Sequence, residues 1–140
     1  MLFFYNILTH IASLILKLLA LFSPKLKLFV EGRKDVFTTL KSKINSSDNV
    51  IWVHAASLGE YEQGIPVMEA LKKEFPNYKL VVTFFSPSGY EVRKNNTLAD
   101  VTVYLPLDTK SNAQEFIKTI HPELVLFIKY EFWPNYLNEL

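Results

Sequence analysis

The sequence predicts an α/β fold, a Rossmann-like parallel sheet preceded by an apolar N-terminal helix. Three observations predict it. Short β-branched and aromatic runs alternate with helical stretches of ten to sixteen residues. Each run stops at residues that open or cap a helix. Ahead of all of them, residues 2–22 carry a single formal charge, Lys17.

The N-terminal stretch is about as long as a bilayer is thick, and it lacks the small-residue cleavage site of a signal peptide. Its polar residues Asn6, Thr9, His10, Ser13 and Lys17 recur at helical spacing and form one stripe; the other faces are Leu, Ile and Phe. That suits a helix lying in the membrane interface, or a spanning helix with one face on protein. A core helix awaiting a partner is the plainer alternative. Ser23-Pro24 is expected to end the helix. Lys25, Lys27, Arg33 and Lys34 follow as a basic flank that favours anionic headgroups and would hold the downstream domain on the cytoplasmic side. Residues 1–30 are therefore expected to be a membrane-associating helix with its flank, 31–49 a connecting segment, and 50–140 the folded lobe. Residues 36–44 are weakly helical, and Asn45 to Asn49 form a polar loop.

In the lobe, Val50–Ala55 is a continuous apolar strand. A helix over 60–75 carries Ile65, Met68, Leu71 and Phe75 near one face, and Pro76-Asn77 stops it. Residues 79–85 form a second strand. Ser86-Pro87-Ser88-Gly89 opens a second helix, with Pro87 suited to its first position. A third strand spans 101–105. Asp108 is expected to cap a third helix over 109–120, ended by His121-Pro122. A fourth strand spans 124–128, and Phe132-Trp133-Pro134-Asn135 starts a last helix. The order βαβαβαβα implies parallel strands joined by right-handed crossovers. The chain stops at Leu140 inside a predicted helix, as a chain cut short of a longer protein would.

Composition excludes several chemistries. A net charge of +1 gives no general attraction to nucleic acid. Without cysteine there are no disulfides or thiolate metal sites. His10, His54 and His121 lack the spacing of a metal motif, so no metal is expected. The dinucleotide fingerprint, the P-loop and the nucleophile elbow are all missing.

What remains is the carboxyl edge of the sheet, where such folds bind ligands. Three loops converge there: Ser57-Leu58-Gly59-Glu60, Ser86-Pro87-Ser88-Gly89 and Lys129-Tyr130-Glu131. Ser57 and Glu60 have capping-box spacing. Glu60 is equally placed to be a general base, its ionised form favoured by the helix dipole, and Gly59 would let a substrate approach the backbone. Ser86 and Ser88 offer hydroxyls and free amides to an anion, or an ordinary helix cap. Glu131 is either an ion-pair partner of Lys129 or a hydroxyl-binding carboxylate. His54 is expected to be a satisfied core histidine, and Phe132 and Trp133 to be packing residues.

Four motifs, in order, carry a resemblance: His54-Ala55-Ala56-Ser57-Leu58-Gly59-Glu60, Thr83-Phe84-Phe85-Ser86-Pro87-Ser88-Gly89, Tyr104-Leu105-Pro106-Leu107-Asp108 and Lys129-Tyr130-Glu131-Phe132-Trp133-Pro134-Asn135. Together they resemble the 3-deoxy-D-manno-octulosonic acid (Kdo) transferases of lipopolysaccharide biosynthesis in Gram-negative bacteria. The resemblance implies the N-terminal, acceptor-binding lobe of a two-lobed GT-B glycosyltransferase at the cytoplasmic face of the inner membrane. It implies transfer of Kdo from CMP-Kdo to the lipid A precursor, with Glu60 as general base and Ser57, Gly59, Ser86, Ser88, Gly89 and Glu131 lining the acceptor cleft. It implies no cofactor, CMP-Kdo being a co-substrate held mainly by a second lobe. A non-catalytic, membrane-tethered binding module and a GT-B transferase using another nucleotide sugar remain alternatives.

Overall fold

A computed structural model describes residues 2–95 and 98–140. Three helices precede the sheet: α1 (Leu2–Leu19), α2 (Pro24–Glu31) and α3 (Val36–Lys43). The alternating part follows as β1 (Val50–Ala55), α4 (Leu58–Glu74), β2 (Lys79–Phe84), α5 (Pro87–Arg93), β3 (Val101–Tyr104), α6 (Lys110–Ile120), β4 (Leu124–Phe127) and α7 (Pro134–Glu139). All strand pairs are parallel, in the order β3-β2-β1-β4. The α/β class and the parallel sheet are as expected. Strands 79–85, 101–105 and 124–128 each close one residue sooner, and α4 starts two residues before its expected Glu60.

The strands read as continuous apolar runs because both faces are covered. Val50 and Trp52 of β1 face one side. There they meet Val36, Leu40 and Ile44 of the α3 region, Phe116 and Ile120 of α6, and Tyr136 of α7. Ile51, Val53 and Ala55 face the other side, against Tyr61 and Met68 of α4. Residues 36–44 thus belong to the core: Leu40 is fully buried.

Two expectations about the N-terminal region are corrected. Ser23-Pro24 ends no more than it begins. Ser23 caps α2 by accepting from the Leu26 amide, and Pro24 occupies the first turn, where its missing N–H costs nothing. Arg33 is not part of a solvated basic flank. Its side chain is half-buried and donates to three backbone carbonyls: Phe29 at 2.7 Å, Phe85 at 2.7 Å and Leu105 at 2.8 Å. The rings of Phe29, Tyr104 and Phe85 surround it at 3.6, 4.9 and 5.0 Å. Burial lowers it to about 9, so it stays charged at neutral pH. Planar, forked and weakly hydrated, a guanidinium reaches the three carbonyls from three separate nitrogens, whereas the three N–H bonds of a lysine share one nitrogen.

α1 has no buried residue and is the one described helix long and apolar enough to cross a membrane. Its apolar side chains Phe3, Phe4, Leu8, Leu14 and Leu18 are all more than 60% exposed, so they face away from the lobe. Of the polar stripe, Asn6, Thr9 and Ser13 are half-buried on the lobe side, whereas His10 and Lys17 are exposed. Asn6 bonds Asn135 of α7, while Ser13 and Lys17 line a cleft of about 320 Å³ shared with α2, α3 and the loop after β3.

The Arg33→Lys variant is expected to lose about 3 kcal/mol of stability, since a single ammonium nitrogen cannot reach all three carbonyls that the guanidinium fork spans. Urea unfolding should show a lower midpoint with an unchanged slope.

Candidate active site

The chain runs β1 to β2 to β3 in one direction and then crosses to the other side of β1 to lay down β4. The order therefore reverses between β1 and β4, which makes the carboxyl ends of those strands the switch-point crevice of the sheet. The turn after β1 carries Ser57 and leads into Gly59 and Glu60 in the first turn of α4; the loop after β4 carries Glu131. The loop after β2, with Ser86 and Ser88, is tied to the first by the Ser86 amide, which donates to the Ala56 carbonyl at 2.9 Å. The predicted residues thus share one edge.

Glu60 sits in the first turn of α4, in a capping box with Ser57. Its Oε2 accepts from the Ala56 amide at 2.6 Å and the Ser57 amide at 3.1 Å. Both bonds use the same oxygen, leaving Oε1 for a further donor. The two readings of Glu60 therefore coexist: the cap fixes its rotamer and the second oxygen keeps its accepting capacity. Gly59 is exposed, and a Cβ built on it would meet no atom within 4 Å. The fold does not need a glycine here, so the open space is free for a ligand.

Ser86 is engaged as the N-cap of α5, accepting from the Gly89 amide at 3.4 Å, and its hydroxyl lies 2.9 Å from that of Ser88. Ser88 is exposed. Gly89 is buried for a packing reason: any Cβ would run into the Phe84 ring. Its side of the turn faces the core, whereas Ser88 faces the crevice edge.

Glu131 does not pair with Lys129, which is exposed and holds a left-handed backbone at φ 65°. Its Oε2 lies 3.8 Å from Nε2 of His54. His54 is the main influence holding the Glu131 carboxyl below its usual range, burial opposes it, and Trp133 adds to it. His54 is fully buried and satisfied, as its position in β1 suggests. The Trp133 indole N–H points at Nε2 from 3.3 Å, and Nδ1 lies 2.9 Å from Thr83 Oγ1. The Trp52 indole donates to the same hydroxyl at 2.8 Å. Trp133 also stacks on Phe85, with ring centres 4.7 Å apart. Phe132 is not a packing residue: it is 74% exposed, like neighbouring Tyr130 at 88%.

Sequence reasoning placed Asp108 as the cap of α6. Thr109 holds that position instead, accepting from the Asn112 amide at 3.3 Å. Asp108 is buried and accepts from the amides of Asn135 and Tyr136 at 3.1 and 3.2 Å, capping α7 from 27 and 28 residues away. The Asn that closes the last motif was its signal: Asn135 Nδ2 donates back to the Asp108 carbonyl at 2.7 Å. Among the described residues no group of three His, Asp or Glu converges as a metal site would require.

Comparison with known proteins places these features in context. The sequence profile of the family described as 3-deoxy-D-manno-octulosonic-acid transferase (kdotransferase) matches residues 15–140. The chain is 35% identical over 92 residues to the 3-deoxy-D-manno-octulosonic acid transferase of Haemophilus influenzae, covering 64% of the chain and 21% of that protein. To the transferase of the same description from Aquifex aeolicus it is 30% identical over 96 residues, 68% of the chain and 26% of that protein. To a bifunctional glycosyltransferase/methyltransferase of Fusobacterium nucleatum it is 31% identical over 147 aligned residues, 97% of the chain and 21% of that protein. The chain spans about a quarter or less of the length of these relatives.

The depressed Glu131 carboxyl sets an acid-side expectation. Its stabilising contribution is fully present above the unfolded-state value of about 4.3 and is lost as pH falls through the lower folded value. Thermal midpoints of Glu131→Gln and the parent should therefore differ near pH 6 and converge as pH drops below about 4.

Proposed function

Because the chain belongs to the 3-deoxy-D-manno-octulosonic-acid transferase family, we propose that it is the acceptor-binding lobe of a GT-B glycosyltransferase that moves Kdo from CMP-Kdo to the lipid A precursor. The observation that carries this reading is Glu60: a carboxylate fixed by two amides at the switch point, one oxygen uncommitted, beside the open space over Gly59.

The chemistry follows from that geometry. An acceptor sugar hydroxyl enters over Gly59 and donates to Glu60 Oε1. As its oxygen bonds to the anomeric carbon of Kdo, the proton passes to Glu60 and the bond to the CMP phosphate breaks, with CMP carrying away the electron pair. A positioned general base contributes roughly 10²–10⁴-fold. The two amides on Oε2 hold the carboxylate in one orientation throughout. Ser88 and Glu131, on the flanking loops, are donor and acceptor for further hydroxyls of the acceptor. Ser57 and Ser86 hold the turns, and Gly89 lets α5 pack close to β2. CMP-Kdo is a co-substrate bound mainly by a second lobe, and the reaction calls for no cofactor.

The membrane reading is part of the same proposal. The outward apolar faces of α1, with Lys17, Lys25, Lys27 and Lys34 beside them, fit the cytoplasmic face of the inner membrane, where a lipid-linked acceptor resides. Co-sedimentation with anionic vesicles should be lost when Phe3, Phe4 and Leu8 are replaced by serine.

A second reading, a tethered binding module without turnover, is favoured by the engagement of Glu60 in the capping box. The two differ in the Glu60→Gln variant, tested with the remaining length supplied from the Aquifex aeolicus relative and with CMP-Kdo and lipid A precursor as substrates. Glutamine keeps the amide-accepting oxygen, so the fold should persist by circular dichroism while transfer falls by roughly 10²–10⁴-fold. Normal turnover in that variant would reduce Glu60 to a cap.

A further inference from the structure

α1 is fastened to the lobe by polar contacts at a place that also governs the site. Tyr5 donates to Asp108 Oδ2 at 2.7 Å, and Asn6 Oδ1 accepts from Asn135 Nδ2 at 2.8 Å. Asp108 is thus bound from two directions, by the α1 hydroxyl and by the first amides of α7. A cap needs only the second. Immediately before those amides, Trp133 is the N-cap residue of α7 and donates to His54 Nε2, against which the Glu131 carboxylate lies.

We propose that Asp108 is a positioning residue, taking its alignment from Tyr5 of α1 and passing it through the first turn of α7 to Trp133 and Glu131. The physical reason is that Asp108 is nearly fully enclosed and its carboxylate accepts charge-assisted hydrogen bonds, so neither neighbour moves without it. Oδ2 is shared: Tyr5 and the Asn135 amide both point at it. Displacing α1 removes one of the donors that fix that oxygen, and the α7 turn loses its reference. Beyond Tyr5 and Asn6, both at this corner, α1 lays no buried side chain into the core. Seating α1 therefore orders the Glu131 corner. The inference rests on the proposed reading of that corner as part of the acceptor site.

Two measurements on this chain test it. In solution, amide exchange and ring-nitrogen spectra are compared among the parent, Tyr5→Phe and Asp108→Asn. The Asn135 and Tyr136 amides should exchange about tenfold faster in Asp108→Asn. His54 ring signals should shift in both variants, while β1 and β2 amides are unchanged. His54 signals that stay put in the folded Tyr5→Phe protein overturn the proposal, as does faster exchange spread equally through β1 and β2. On phosphatidylglycerol vesicles the same two amides should slow in the parent but not in Tyr5→Phe, although both proteins co-sediment. Co-sedimentation of the parent without slowing also overturns it. Failure to co-sediment refutes the membrane reading instead, and the solution measurement then decides. In the transferase assay, Tyr5→Phe should raise the acceptor KM and leave kcat unchanged. A Glu131→Ala variant with the parent's KM refutes the site reading while the spectral result stands.

Discussion

One guanidinium holds the N-terminal helices against the sheet. Arg33 lies just past α2 and draws on the carbonyls of Phe29 in α2, Phe85 at the end of β2 and Leu105 at the end of β3. Those strand ends would otherwise present unpaired acceptors to an apolar layer of Phe29, Phe85 and Tyr104. A partly buried cation is costly, and here three backbone dipoles and three ring faces offset the loss of water. Phe85 in turn stacks on Trp133, so the same residue that anchors Arg33 also backs the α7 turn. The crevice edge inherits its shape from this cluster.

The carboxylates of the edge are treated differently by their surroundings. Glu60 is fixed by backbone amides and keeps one oxygen open. Asp108 is spent entirely on internal donors. Glu131 lies between, half-buried with Oε2 3.8 Å from the His54 ring. Three acids on one edge thus have three distinct capacities, set by how many lone pairs the protein has already filled. Only the first and third have accepting capacity left for a ligand.

Much of the fold was legible because its signals are local. Strand runs, Pro87 in the first turn of α5 and the capping box at Ser57 depend on residues within a few positions of one another. The convergence of three loops on one edge also followed, since parallel strands put every such loop on the same side. The misses are cases where a distant partner decides. Arg33 among lysines has the composition of a solvated flank, and nothing nearby announces the three carbonyls that hold it. Asp108 beside Thr109 presents two candidate caps for one helix. The threonine takes the position, and the aspartate is released to α7. The stripe on α1 was seen, with a protein-facing side among its readings, but its partner was not: Asn135 lies 129 positions away. Phe132 failed for the converse reason, an aromatic next to a packed tryptophan that the backbone turns outward.

That separation has a consequence for the life of the chain on the ribosome. α1 is synthesised before the lobe, yet the groups that receive Tyr5 and Asn6 emerge 103 and 129 residues later. At bacterial elongation rates this is an interval of roughly 5–25 s. Throughout it the nascent helix has apolar surface and no protein to cover its polar side. The contacts of α1 with the lobe are therefore among the last of the described fold to form.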